Sequence, residues 1–150
     1  MEPMKSLFDE SVYHDIRKRL SNFTRQSERQ WGKMTLGQTM HHCQGPLNII
    51  LEKDDYGMKP NWFVKTFFKK SLYNDKPWRK GLPTAKFLKE TQERDFDAEK
   101  AKLESLLDEF ASQRDRNDWK PHPGFGEFTK EQYGKMHFKH LDHHLKQFGL

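Results

Sequence analysis

The stretch Thr129–Leu150, TKEQYGKMHFKHLDHHLKQFGL, decides the fold and carries most of the chemistry. Thr129 stands three residues before Gln132, a T-x-x-Q pair that can cap two backbone N–H groups at a helix start. Tyr133, Met136, His137, His140, Leu141, His144, Gln147 and Phe148 then recur at helical spacing. Four of the chain's eight histidines fall in this one segment. His140 and His144 are spaced i, i+4, which puts both imidazoles on one face of a helix, about one turn apart. That spacing suits two nitrogen ligands of one transition metal.

Three further helices are predicted upstream. The first runs from about Asp9 to Phe23, with Val12, Ile16 and Leu20 on one side and Arg17, Lys18 and Arg19 on the other. The second opens at Thr35, where Thr35 and Gln38 repeat the capping pair. Leu36, Met40, Cys43, Leu47, Ile50 and Leu51 form its apolar stripe, and Gly45-Pro46 inside it should bend or break the helix. The third begins near Asp97 and carries Leu103, Leu106, Leu107 and Phe110. Between the second and third lies a long excursion, about Gly57 to Phe96. It holds a shorter helix rich in Trp62, Phe63, Phe67, Phe68 and Leu72, then a loop punctuated by Pro77, Gly81 and Pro83. The expected architecture is all-α: one domain over residues 1–150, a four-helix bundle with a long crossover between its second and third helices.

Composition agrees with a packed domain. Twelve Phe, four Trp and four Tyr in 150 residues argue for a core rather than disorder. The formal charge of +5, from 27 Lys and Arg against 22 Asp and Glu, is mild and spread along the chain. It does not demand an acidic partner, and no nucleic-acid binding is expected. Cys43 is the single cysteine, so no intrachain disulfide can form. No apolar run resembles a secretory signal or approaches the about 20 residues of a membrane span, so a cytoplasmic protein is expected.

A catalytic metal usually takes three protein ligands and keeps one position open. His140 and His144 supply two, and His41, His42, His14, His122 and His137 are candidates for the third. At about 100° per residue His42 lies beside Pro46 and Ile49, next to the apolar stripe, whereas His41 lies beside Gln44, Asn48 and Glu52 on the wetter side. His42 is therefore the better inward residue. His137 lies close to the His140/His144 line and is the catalytic candidate, a neighbour that could hydrogen-bond to substrate or bound water. His14 and His122 read as surface or loop histidines. Cys43 points about 100° away from His42 and reads as a small buried residue. A histidine pair on an amphipathic helix can also be plain packing, but buried imidazoles without partners cost free energy.

The segment His140-Leu-Asp-His-His144-Leu-Lys-Gln147 resembles the H-x-x-H-H-x-x-Q closing motif of the DinB-like superfamily of four-helix metal-binding proteins. Trp31-Gly-Lys-Met34-Thr35-Leu-Gly-Gln38-Thr-Met-His-His42-Cys43 and His122-Pro123-Gly-Phe125-Gly126 resemble motifs of one of its uncharacterised branches. The resemblance spans nearly the whole chain. It implies His42, His140 and His144 as metal ligands, with Gln147 beside them. Some members of the superfamily are thiol-dependent transferases or isomerases.

The expected cofactor is a divalent transition metal, either zinc, nickel, iron or manganese, with a low-molecular-weight thiol as a candidate cosubstrate. The expected activity is thiol-dependent transfer or small-molecule hydrolysis; a non-catalytic, metal-braced bundle is the alternative. No Asp or Glu stands on the inner stripe of the second or last helix, and Asp142 points away, so no carboxylate base is identified. The expected partners are a small-molecule substrate and a second copy in a homodimer. Lys65, Lys69 and Lys70 among aromatics would also suit an anionic membrane or a nucleic acid. The favoured expectation is instead that these aromatics cover the bundle or a dimer interface, with no membrane association.

Overall fold

The computed structural model describes residues 2–81 and 92–150. Six α-helices follow in chain order: α1 Glu10–Ser21, α2 Leu36–His42, α3 Gln44–Ile50, α4 Trp62–Phe68, α5 Phe96–Ser112 and α6 Lys130–Lys146. A single 3₁₀ turn, Lys69–Leu72, extends α4. Among the described residues there is no strand, only one isolated bridge between His122 and Gly126. The all-helical expectation holds, with the short helix in the excursion as expected. Pro83, placed in the loop by the sequence, lies outside the described residues.

Local chemistry sets the helix starts. Thr35 and Thr129 each accept the N–H of the glutamine three residues on, at 3.2 and 3.1 Å. Gln38 and Gln132 reach back to accept the threonine N–H, at 2.9 and 3.0 Å. These closed capping boxes fix where α2 and α6 begin. Asp95 caps α5 by accepting the Ala98 N–H at 2.8 Å. The expected break in the second helix falls at Cys43, where α2 gives way to α3. Pro46 has no N–H to donate to the His42 carbonyl, so the ladder cannot run through this point.

The core lies between α1, α2, α3, α5 and α6. Ile16, Leu20, Met40, Leu47, Leu103, Leu107, Phe110 and Tyr133 are buried in it. Phe23 packs on Phe96 and Phe148 at ring distances of 5.6 and 4.6 Å, and Phe8 on Phe110 at 4.7 Å. Arg17 joins α1 to α5 through Glu104 at 2.9 Å and Asp108 at 3.2 Å.

The last helix is buried further round than its sequence stripe implies: Phe138, Lys139 and Leu145 are buried as well. Lys139 is accommodated because its Nζ donates to Ser71 O, Asn74 O and Asn74 Oδ1 at 2.7, 3.1 and 2.8 Å. Burial pulls this ammonium down to about 8. It clamps the 69–74 segment onto α6.

The contact that delivers α2 to the core is unusually close. A Cβ at Gly37 would run into the backbone carbonyl oxygen of Arg94, and the Gln38 amide also donates to Gln92 O at 3.1 Å. A backbone carbonyl cannot swing aside as a side chain can. Gly37→Ala should therefore lower stability by about 3 kcal/mol, the upper end of overpacking effects. Urea unfolding checks this, and a loss below about 1 kcal/mol would refute so tight an approach.

The packing narrows two expectations. His122 is no surface histidine: it is buried, and its Nδ1 accepts the N–H groups of Gly124 and Phe125 at 3.0 and 3.1 Å. The aromatics of α4 do not cover the bundle, because Trp62, Phe63, Phe67 and Phe68 are all exposed.

Candidate metal centre

His42 ends α2, whose capping box and Gly37 contact fix the helix against the segment leading into α5. His140 and His144 sit one turn apart on α6. All three rings are buried, at 4%, 7% and 6% exposure. The Nε2 of His42 lies 3.0 Å from the Nε2 of His144 and 3.1 Å from the Nε2 of His140. Among the described residues this is the one group of three potential metal-binding side chains whose donor atoms all lie within 4.8 Å of one another. The inward choice of His42 over His41 agrees with helical phase. His41 is partly exposed and its Nδ1 meets Glu99 at 3.0 Å.

The protonation pattern leaves lone pairs where an ion would need them. His144 Nδ1 lies 2.7 Å from Gln147 Oε1, which can only accept, so the ring proton sits on Nδ1 and the Nε2 lone pair faces the cluster. Burial holds His144 at about 3, with His42 adding to the effect. Burial, then the His144 and His42 imidazoles, hold His140 well below the ordinary histidine range. These two rings are neutral at pH 7, the state in which imidazole binds a metal.

Gln147 is itself held. Its backbone carbonyl accepts the Gln30 N–H at 2.6 Å, and a Cβ on Gly32 would stand 2.8 Å from its Nε2. Gly32 has φ +93°, in the left-handed region that favours glycine. The turn before α2 can therefore lie directly against the residue that orients His144. Such a partner behind a metal-binding imidazole fixes ring orientation and tautomer.

Trp78 forms one wall of the site, its ring 6.0 Å from His140 and 5.6 Å from His143. Its indole N–H donates to Ser71 O at 3.0 Å. His143 stands between Trp78 and Trp31, whose ring is 4.8 Å away. Its role in this wall has no local sequence signal, because both tryptophans come from distant segments.

The remaining sequence candidates lie apart from the cluster. His137 is fully buried against Phe110 and Tyr133 at 5.4 and 6.3 Å, and its Nε2 has no hydrogen-bond partner among the described residues. His14 is exposed on α1, beside Glu10. Asp142 faces Arg19 and Lys146, both at 2.9 Å. Cys43 is buried, and burial pushes its thiol well up, which leaves it protonated rather than nucleophilic. Sequence reasoning missed Glu99, a buried carboxylate on α5 bound by His41, by Gln44 at 2.7 Å and by Lys102 at 3.3 Å. Its signal was present: Glu99 stands four residues before Leu103, on the same stripe.

Residues 7–149 match the family described as "Protein of unknown function (DUF1569)". The chain belongs to the DUF1569 family. No curated protein and no solved structure matches it. The matched span of this DUF1569 member includes all three cluster histidines and Gln147. Among its described residues no helix is long and apolar enough to cross a membrane.

Proposed function

We propose that this protein is a metal-dependent enzyme acting on a small molecule, with His42, His140 and His144 holding one divalent transition ion. The observation that carries the reading is the convergence of three buried Nε2 atoms, with the lone pair of His144 turned inward by Gln147. As a hydrogen-bond cluster alone the arrangement is poor. His42 Nε2 offers either one proton or one lone pair, yet it faces two ring nitrogens at about hydrogen-bond distance. A cation at the centre would satisfy all three. Zinc, nickel, iron and manganese all suit imidazole ligands.

When bound, such an ion supplies Lewis acidity toward water or a thiol. Three protein ligands rather than four leave a position for a reactant. This favours thiol-dependent transfer or small-molecule hydrolysis, the chemistry implied by the DinB-like resemblance, to which we also attribute the fold. The chain's own groups have defined parts. Gln147 keeps the His144 proton on Nδ1, and Trp78 shields the cluster from bulk water. His137 is kept outside this reading, because its ring is buried against Phe110 and Tyr133 rather than in the cluster.

A second reading keeps the ion and drops the reaction. The cluster ties α2 to α6, and no carboxylate touches it among the described residues, so the ion could brace the bundle. Turnover separates the two. Protein reconstituted with zinc, nickel, iron or manganese should be screened for thiol transfer to small electrophiles and for ester and amide hydrolysis. A rate that rises with metal content and vanishes in His140→Ala supports the enzyme. Full activity in metal-free His140→Ala protein would sink it, and metal without turnover would leave the brace.

A further inference from the structure

The α4 helix is turned inside out. An amphipathic helix on a globular protein normally buries its apolar arc and leaves its lysines in water. Here Trp62, Phe63, Phe67 and Phe68 are 75%, 58%, 63% and 52% exposed, and no residue of α4 is buried. The lysines lead back to the protein instead. Lys69 Nζ donates to Glu127 O and lies 4.6 Å over the Phe128 ring. Lys65 Nζ lies against Gly126, 3.3 Å from where a Cβ there would stand. Lys65, and Lys69 in the 3₁₀ turn just after α4, face the 126–128 segment, while the aromatics stand outward. Four large aromatics in seven residues form a contiguous exposed patch of the kind that marks an interaction surface.

Charge selects the occupant. From Tyr56 to Asn74 the chain has Lys59, Lys65, Lys69 and Lys70 and no acidic residue. Lys59 and Lys70 are exposed, and no carboxylate pairs with either among the described residues. A second copy docked on the same face would bring the same four lysines and no acidic residue of this segment to answer them. Stacking of nucleic-acid bases needs free ring faces, but the Phe63 and Phe67 rings pack on each other at 4.8 Å. An anionic lipid surface meets both features: its headgroups pair with the lysines, and its interfacial layer receives the aromatics.

We propose that α4 docks this protein on anionic membranes, with Trp62, Phe63, Phe67 and Phe68 inserted at headgroup depth and Lys59 and Lys70 on the lipid phosphates. Seven residues are far too few to span a bilayer, so the attachment is peripheral and reversible. The sequence expectation was against membrane association; the outward direction of the aromatics, visible only in three dimensions, is what favours the proposal.

The test is sedimentation of the full chain with phosphatidylcholine vesicles, with and without phosphatidylserine, at low and high salt. Wild type should bind only the vesicles with phosphatidylserine and be released by salt. Each lysine at a charged surface is worth about fivefold in partition, so Lys59→Gln/Lys70→Gln should bind about 25-fold more weakly. Trp62→Ser/Phe67→Ser removes two exposed rings, should keep its fold by circular dichroism, and should lose at least about tenfold. No sedimentation at low salt overturns the proposal, as does binding that survives both double variants. Light scattering adds a third check. A wild-type dimer that Trp62→Ser/Phe67→Ser dissociates would give the face to a second copy and overturn the membrane assignment.

Discussion

Wild-type protein purified without a histidine tag should carry about one equivalent of a divalent transition metal per chain, and His140→Ala and His42→Ala should carry none. Each ligand replacement leaves two imidazoles, one fewer than an open three-ligand site requires. Gln147→Ala should behave differently. All three ligands remain, but the proton on His144 is no longer held on Nδ1, so affinity should fall by about 10- to 100-fold while saturating metal restores occupancy.

Stability should follow occupancy. A ligand present at about 1,000 times its dissociation constant stabilises the folded state by about 4 kcal/mol. For a chain of this size that is about 10 °C in Tm. Chelation should therefore lower the wild-type Tm by about that much and leave the Tm of His140→Ala unchanged. Elemental analysis and calorimetry on the four proteins decide it. Absence of metal in wild type after reconstitution with zinc, nickel, iron and manganese, with equal Tm before and after chelation, would reduce the cluster to a packing device.

What the sequence disclosed and what it hid divide by distance along the chain. The capping boxes are legible because threonine and glutamine stand three residues apart and complete each other locally. The inward phase of His42, His140 and His144 is legible because helical rotation fixes it relative to the neighbouring apolar residues. The junction of α2 and α3 could be anticipated from Pro46, though it falls three residues earlier, where the missing N–H takes effect. Lys139 illustrates what is hidden. A lysine is ordinarily read as surface, and only the distant Ser71 and Asn74 carbonyls make its burial tolerable. Glu99 was hidden differently: it continues a visible stripe, but a search for apolar residues passes over a carboxylate. The outward direction of the α4 aromatics depends on how Lys65 and Lys69 meet the 126–128 segment, which no local pattern encodes. Trp78 and Trp31 reach the site from separate loops, so its wall could not be foreseen.

The protein should unfold cooperatively in mild acid, with a midpoint between about pH 4 and 6. His122 and His137 are buried outside the cluster and held neutral. Burial, assisted by Lys69, lowers His122 to about 4; burial, assisted by His122, lowers His137 to about 3. In the unfolded chain both titrate near the ordinary histidine value of about 6.5. The folded values are depressed, so between about 6.5 and the folded values the unfolded chain binds protons that the native state refuses. Stability is thus fully present above about pH 6.5 and is lost as the pH falls toward the folded values. The gap for His122 is worth about 3 kcal/mol and that for His137 about 5 kcal/mol. Because the two repel each other when charged, their sum is an upper bound, yet even half of it is comparable to the about 5–15 kcal/mol of a typical domain. Geometry gives the same direction. Protonating His122 Nδ1 would abolish the two bonds it accepts from Gly124 and Phe125, which hold the 122–126 loop. The cluster imidazoles would release an ion over the same range, so a variant outside the cluster is needed to separate the effects. His137→Phe keeps the ring and removes both the titration and the unpartnered nitrogen. Its acid midpoint should lie roughly half a pH unit or more below that of wild type. Circular dichroism from pH 8 to pH 3 reads both proteins. A wild-type chain still native at about pH 4, or coincident curves for the two proteins, would show that these buried histidines do not set acid stability.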